Sequence, residues 1–104
     1  MQDKFLQFLG ITKKSGSLLE GYNKCEEAIK SGKLFLLILS DNCSENTKEK
    51  FIKYCNKYNV PFVQAYSKED LGTPIGRTEI NILGIADKNM SIRLVSLWNE
   101  KNKI

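Results

Sequence analysis

The chain has 104 residues, 41% of them hydrophobic and 27% charged, which gives one domain over residues 1–104 with a small core and excludes a disordered or fibrous protein. A formal charge of +4 leans toward polyanionic partners. Histidine is absent, and the three cysteines form no Cys-x-x-Cys pair, so no catalytic residues, metal or cofactor are expected.

Phe5, Leu6, Phe8 and Leu9 recur at helical spacing and predict a helix over roughly residues 3–13, ended by Ser15-Gly16-Ser17. Leu18-Leu19 makes a short apolar step. A second helix begins near Gly21-Tyr22-Asn23, with Cys25, Ala28 and Ile29 on its buried side and Gly32 as its stop. The continuous run Leu34–Leu39 reads as a central strand covered on both faces. Ser44 caps a third helix, with Glu45 set against the dipole and Phe51, Ile52, Cys55 and Tyr58 as its stripe.

Val60–Val63 reads as a further strand, with Pro61 at its start or on an edge. Ser67-Lys68-Glu69-Asp70 opens a short helix that stops at Gly72. Ile80–Ala86 is another buried strand, and Met90, Leu94, Leu97 and Trp98 mark a closing helix. Alternating helices and strands predict an α/β fold, a three-layer α/β/α sandwich around a mixed four-stranded sheet. No apolar run is long enough to span a membrane and no signal-peptide pattern is present, so a cytoplasmic protein is expected.

Two segments carry the functional signal. A helix N-terminus exposes free N–H groups and a partial positive charge, which suit a phosphate or a base edge. Asn23 stands at that point with a donor and an acceptor side by side, matching bidentate contact with a base. Glu27, Lys30 and Ser31 share its polar face, and Tyr22 beside it is placed to stack. An N-cap role explains Asn23 equally well, and Glu26–Lys30 is an ordinary i,i+4 pair. The second segment, Leu71-Gly72-Thr73-Pro74-Ile75-Gly76, is either turn chemistry or a loop that exposes Ile75 over an unstacked base, with Arg77 on a phosphate. Lys13-Lys14 and Glu45 to Lys53 read as solvated helix faces.

The chain resembles the kink-turn-binding ribosomal protein family, the L-seven-Ae type, and within it the small bacterial YlxQ-like members. The likeness runs from about Phe5 to Leu97. It rests on Gly21-x-Asn23, on Ala28 to Lys33, on Asp41 to Lys48, on Cys55 to Pro61, and on Leu71-Gly72 through Gly76. The family's fold is an α/β/α sandwich, and its members bind RNA kink-turns, in which a three-nucleotide bulge adjoins sheared G·A pairs. Lys24 stands where the family has Glu, Glu27 where it has Lys, and Ser31 at a family Arg, while Lys30 fits the bacterial subgroup's basic position. The exchange of Lys24 and Glu27 keeps the pieces of an intrahelical ion pair but sets an anion near phosphates.

The expectation is a non-catalytic RNA-binding protein for structured, kink-turn-like RNA of the ribosome or translation machinery. Asn23 contacts base edges, Lys24 and Lys30 supply charge, Gly21 lies near a phosphate, and Ile75, framed by Leu71 and Gly76, covers a splayed nucleotide. The partners implied are rRNA or another structured RNA, with the ribosome or its assembly factors, for a monomer away from membranes. A protein-interaction module on the same fold is the alternative, and an enzyme ranks last.

Overall fold

The computed structural model describes residues 3–103. The elements in chain order are α1 (Lys4–Lys14), β1 (Leu18–Glu20), α2 (Tyr22–Lys30), β2 (Leu36–Leu39), α3 (Glu45–Tyr58), β3 (Phe62–Gln64), α4 (Lys68–Gly72), a 3-10 turn (Thr73–Ile75), β4 (Ile82–Ile85) and α5 (Lys88–Lys101). The sheet runs β1-β4-β2-β3, with β4 antiparallel to both neighbours and β3 parallel to β2. It is therefore the mixed four-stranded sheet that the alternation of elements predicts.

Strand alternation explains the layers. In β2, Leu36 and Ile38 join a core with Phe5 and Leu9 of α1 and Leu94 and Leu97 of α5. Leu37 and Leu39 point the other way, to Cys25, Ala28 and Ile29 of α2 and Phe51 and Cys55 of α3. Residues two apart share a face of a strand, so one apolar run serves both layers. At Gly84, in the middle of β4, a Cβ would lie 2.5 Å from Leu34 Cδ1 and 3.0 Å from Cys25 Sγ. Glycine there lets α2 pack close to the sheet, which fixes where its N-terminus emerges.

Helix ends follow local chemistry. Asp3, Ser44, Ser67 and Asp87 each accept a backbone N–H within the first turn of α1, α3, α4 and α5. Gly32 ends α2 at φ 74°, while the Lys33 N–H donates to the Ala28 carbonyl at 2.9 Å. Three expectations need correction. Leu18-Leu19 is more than an apolar step, since Leu18–Glu20 pairs with β4 from Leu18↔Ile85 to Glu20↔Leu83. The strand expected from Leu34 starts at Leu36, with Phe35 exposed, and the one expected at Val60 starts at Phe62, after Pro61. The short helix does stop at Gly72 as expected, and the 3-10 turn follows it directly because Gly72 keeps helical φ and ψ.

Candidate nucleic-acid interface

At the start of α2 the backbone turns out of β1 through Gly21, at φ 102° and ψ 171°. An L side chain clashes with its own backbone in that region, so the position calls for glycine. The Gly21 N–H donates to the Ile82 carbonyl at 3.0 Å, anchoring the turn to β4. No side chain caps the helix, and its first turn carries no acidic residue. The leading N–H groups thus remain open to a ligand oxygen. Asn23 is not the N-cap: it is the second residue of α2, exposed, and its side chain makes no hydrogen bond among the described residues. Lys24, next to it, is exposed and joins no ion pair there either.

The glycine-framed segment has a different construction from the expected one. Leu71 and Ile75 are buried, at 0% and 3% exposure, so Ile75 is a core residue and not an apolar tip. The 3-10 turn accounts for this, because it swings Ile75 inward under α1. Thr73, Gly76 and Arg77 form the exposed rim, with Pro74 half-buried. At Gly72, buried beneath the rim, a Cβ would meet the Arg77 carbonyl oxygen at 2.8 Å and Glu79 backbone at 2.9 Å. Gly76 turns the chain at φ 78°.

Lys13 and Glu20 bring these two segments together. The Glu20 carboxylate accepts the Arg77 Nε–H and pairs with Lys13 Nζ at 3.1 Å. Lys13 Nζ also donates to the Ile75 carbonyl at 3.0 Å. In α1, Gly10 lets the helix approach the Pro74 carbonyl oxygen, which would stand 3.1 Å from a Cβ. The lead-in to α2 is therefore pinned to the 71–77 segment. Partial burial pushes the Glu20 carboxyl up, but Arg77 and Lys13 outweigh it and hold the group below its ordinary value. Lys13 is thus not a merely solvated side chain, and Arg77 already holds an anion. Neither was foreseeable, since Glu20 and Arg77 lie 57 positions apart and only their charges hint at the pairing.

Other expected members lie around this centre. Tyr22 is not free to stack on both sides: it meets Phe51 edge-on at 5.1 Å, and Lys50 Nζ sits 5.1 Å from its ring. Glu26 pairs with Lys30 at 4.0 Å as expected, and also takes Lys50 at 2.9 Å and the Tyr54 hydroxyl at 2.8 Å. Lys30 therefore leans toward α3, with Nζ 5.4 Å from the Tyr54 ring. Lys24 and Glu27 form no ion pair among the described residues. Both line a shallow trough of about 300 Å³ with Ser31 and Lys33.

This geometry defines a class: an α/β/α sandwich presenting an uncapped helix start beside a glycine-framed loop. A model of the ribosomal protein L7Ae/L30e/S12e/Gadd45 family matches residues 3–95, and the chain belongs to that family. Among its relatives is the RNA-binding protein YlxQ of Bacillus subtilis (strain 168), 26% identical over 94 residues that cover 90% of this chain and 94% of that one. The RNA-binding protein YlxQ of Enterococcus faecium is 24% identical over 90 residues, 86% of each chain. The structure of a Bacillus halodurans C protein of unknown function superposes with TM-score 0.90 at 30% identity, covering 92% of this chain and 97% of that one. The Giardia lamblia 15.5kD RNA binding protein shares the fold, with TM-score 0.76 at 17% identity over 92% and 88%.

Proposed function

We propose that the chain is a non-catalytic RNA-binding domain that recognises structured, kink-turn-like RNA, working as a cytoplasmic monomer on or near the translation machinery. The observation that carries this is the unengaged Asn23 side chain on an uncapped helix start, held against the 71–77 segment. Asn23 reads base edges, the Tyr22 and Lys24 backbone N–H groups receive a phosphate that passes close to Gly21, and Lys24 and Lys30 add charge. Leu71 and Ile75 act from beneath, shaping the surface that Pro74, Gly76 and Arg77 turn toward a splayed nucleotide, over Gly72. Glu27 lines the same trough as Lys24 and Lys33, two cations that offset its charge there. The names of the Bacillus subtilis and Enterococcus faecium relatives support the RNA partner.

Titration against a kink-turn RNA and a matched duplex lacking the sheared G·A pairs, at ~150 mM salt, tests this proposal. Preference for the kink-turn is expected, with about a tenfold or greater loss on Asn23→Ala, the scale of one bidentate base contact. Equal weak binding to both RNAs would sink kink-turn recognition.

A protein-interaction module is the alternative, and one observation favours it. An apolar trough of about 530 Å³, lined by Ile29, Leu34, Phe35, Tyr58, Ile92 and Val95, lies at the end of α2 opposite Gly21. Phe35 and Ile92 are 36% and 58% exposed, Lys88 lines the trough, and Lys57 Nζ lies 5.4 Å from the ring of Tyr58 at its wall. These features suit an acidic amphipathic segment. A partner that survives ribonuclease treatment and is lost on Ile92→Asp, with RNA affinity unchanged, would move the assignment to the module.

A further inference from the structure

Glu20 is at first sight an obstacle on a surface for RNA, since it adds an anion at the lead-in to α2. Its surroundings say otherwise. The side chain is 15% exposed, while those of its partners Lys13 and Arg77 are 44% and 49% exposed. The carboxylate therefore lies beneath the two cations, which turn their outer sides to solvent. Arg77 commits its Nε–H to Glu20, which leaves the two terminal nitrogens of the guanidinium free for a phosphate fork. Lys13 spans from Glu20 to the Ile75 carbonyl, and so ties the carboxylate to the backbone of the loop.

Resting on the RNA-binding proposal above, we infer that Glu20 is a positioning residue that selects kinked over regular RNA. It spends negative charge to fix the distance between the α2 N-terminus and the 71–77 loop, and to fix the direction in which Arg77 presents its fork. A regular duplex asks only for positive charge, which Glu20 diminishes. An RNA that places a base edge at Asn23 and a phosphate at Arg77 together asks for the fixed spacing, which Glu20 supplies.

Glu20→Gln keeps the shape of the side chain and removes its charge, so the two RNAs move in opposite directions. Kink-turn affinity is expected to fall about tenfold, the scale of a lost charge-assisted contact. Duplex affinity should hold or rise, with a salt slope steeper by up to about 0.9. Glu20→Asp, which keeps the carboxylate, should retain most of the kink-turn preference, and amide exchange at Gly76 and Arg77 should quicken in Glu20→Gln alone. A rise for both RNAs would mean that Glu20 merely repels phosphate, and would overturn the inference. So would a parallel fall for both that tracks a lower melting temperature, or no change at all. A wild-type protein that does not prefer the kink-turn refutes the RNA proposal before any variant is made. A wild-type preference that survives Glu20→Gln refutes only the role of Glu20.

Discussion

Gly21 and Gly76 both have positive φ, but they make different demands. Gly76, at φ 78° and ψ 22°, lies close to the left-handed helical region, which Asn also visits. Gly21, at φ 102° and ψ 171°, lies where essentially only glycine goes. Asparagine is thus the discriminating replacement. Gly76→Asn should cost well under 1 kcal/mol, whereas Gly21→Asn should cost about 1–3 kcal/mol or force the lead-in to α2 to rearrange. Chemical denaturation of both variants measures the difference, and equal costs would contradict the backbone assignment. The thiols give a second contrast at this scale. Burial pushes Cys25 up to about 12 and Cys55 up to about 11, while Cys43 is half-buried and raised by burial, with Lys48 opposing. A thiol reagent at pH 8 should therefore label Cys43 first and reach the other two only on unfolding. Early labelling of Cys25 would mean that α2 opens from the sheet.

Between elements, glycine permits two close approaches that differ in how readily they can yield. At Gly84 the obstructing atoms are the ends of Leu34 and Cys25, which can rotate aside. At Gly72 they are backbone atoms of Arg77 and Glu79, held by the Arg77 N–H to Gly72 carbonyl bond at 3.0 Å and the Lys68–Glu79 ion pair. Gly84→Ala should therefore cost about 1 kcal/mol and Gly72→Ala about 3 kcal/mol, the two ends of the overpacking range, read from denaturation midpoints. Gly72→Ala should also weaken RNA binding, because the strain relaxes through Arg77. The same contrast shows what could be read in advance. The stripes Cys25-Ala28-Ile29 and Phe51-Cys55 and the run ending at Leu39 were legible, since periodicity records which side is buried. Strand β1 was not, because its three residues are all half-buried and show no alternation. The inward turn of Ile75 was likewise hidden, since two glycines and a proline fit an exposed loop as well as a 3-10 turn. Asn23 and Gly21 were legible as a pair, but the Glu20–Lys13–Arg77 cluster depends on tertiary contacts.

On the scale of the whole chain, the two ends are joined through a third segment. Asp3, just before α1, accepts the Tyr66 hydroxyl at 2.8 Å and Lys101 Nζ at 2.6 Å, and Lys101 lies 4.4 Å from the Tyr66 ring. Tyr66 itself has φ 72°, unusual for a tyrosine, and its carbonyl takes the Asp41 N–H at 2.8 Å. Desolvation pushes Asp3 up, but Lys101, the Leu6 N–H and Tyr66 prevail and lower it; the hydrogen bonds that Lys101 donates to Asp3 and Tyr66 raise Lys101. The signs follow from linkage. Asp3 contributes stability above its unfolded pKa, which is lost as pH falls through the lower folded value. Lys101 contributes below its unfolded pKa, and that is lost as pH rises through the higher folded value. The latch is therefore at full strength at neutral pH and fails at both extremes. Asp3→Asn isolates its charge, because Asn caps a helix about as well as Asp and can still accept the Leu6 N–H. With the Asp3 and Lys101 side chains 21% and 46% exposed, the neutral-pH loss should be at most about 1 kcal/mol. Thermal melts of wild type and Asp3→Asn from pH 7 to pH 3 should converge as Asp3 protonates, leaving the acid sensitivity due to Glu20 in both. Curves that stay parallel to pH 3 would mean that the ends are held by the packing of Phe5, Tyr66 and Trp98, whose rings lie 5.6–5.8 Å apart, and not by the ion pair.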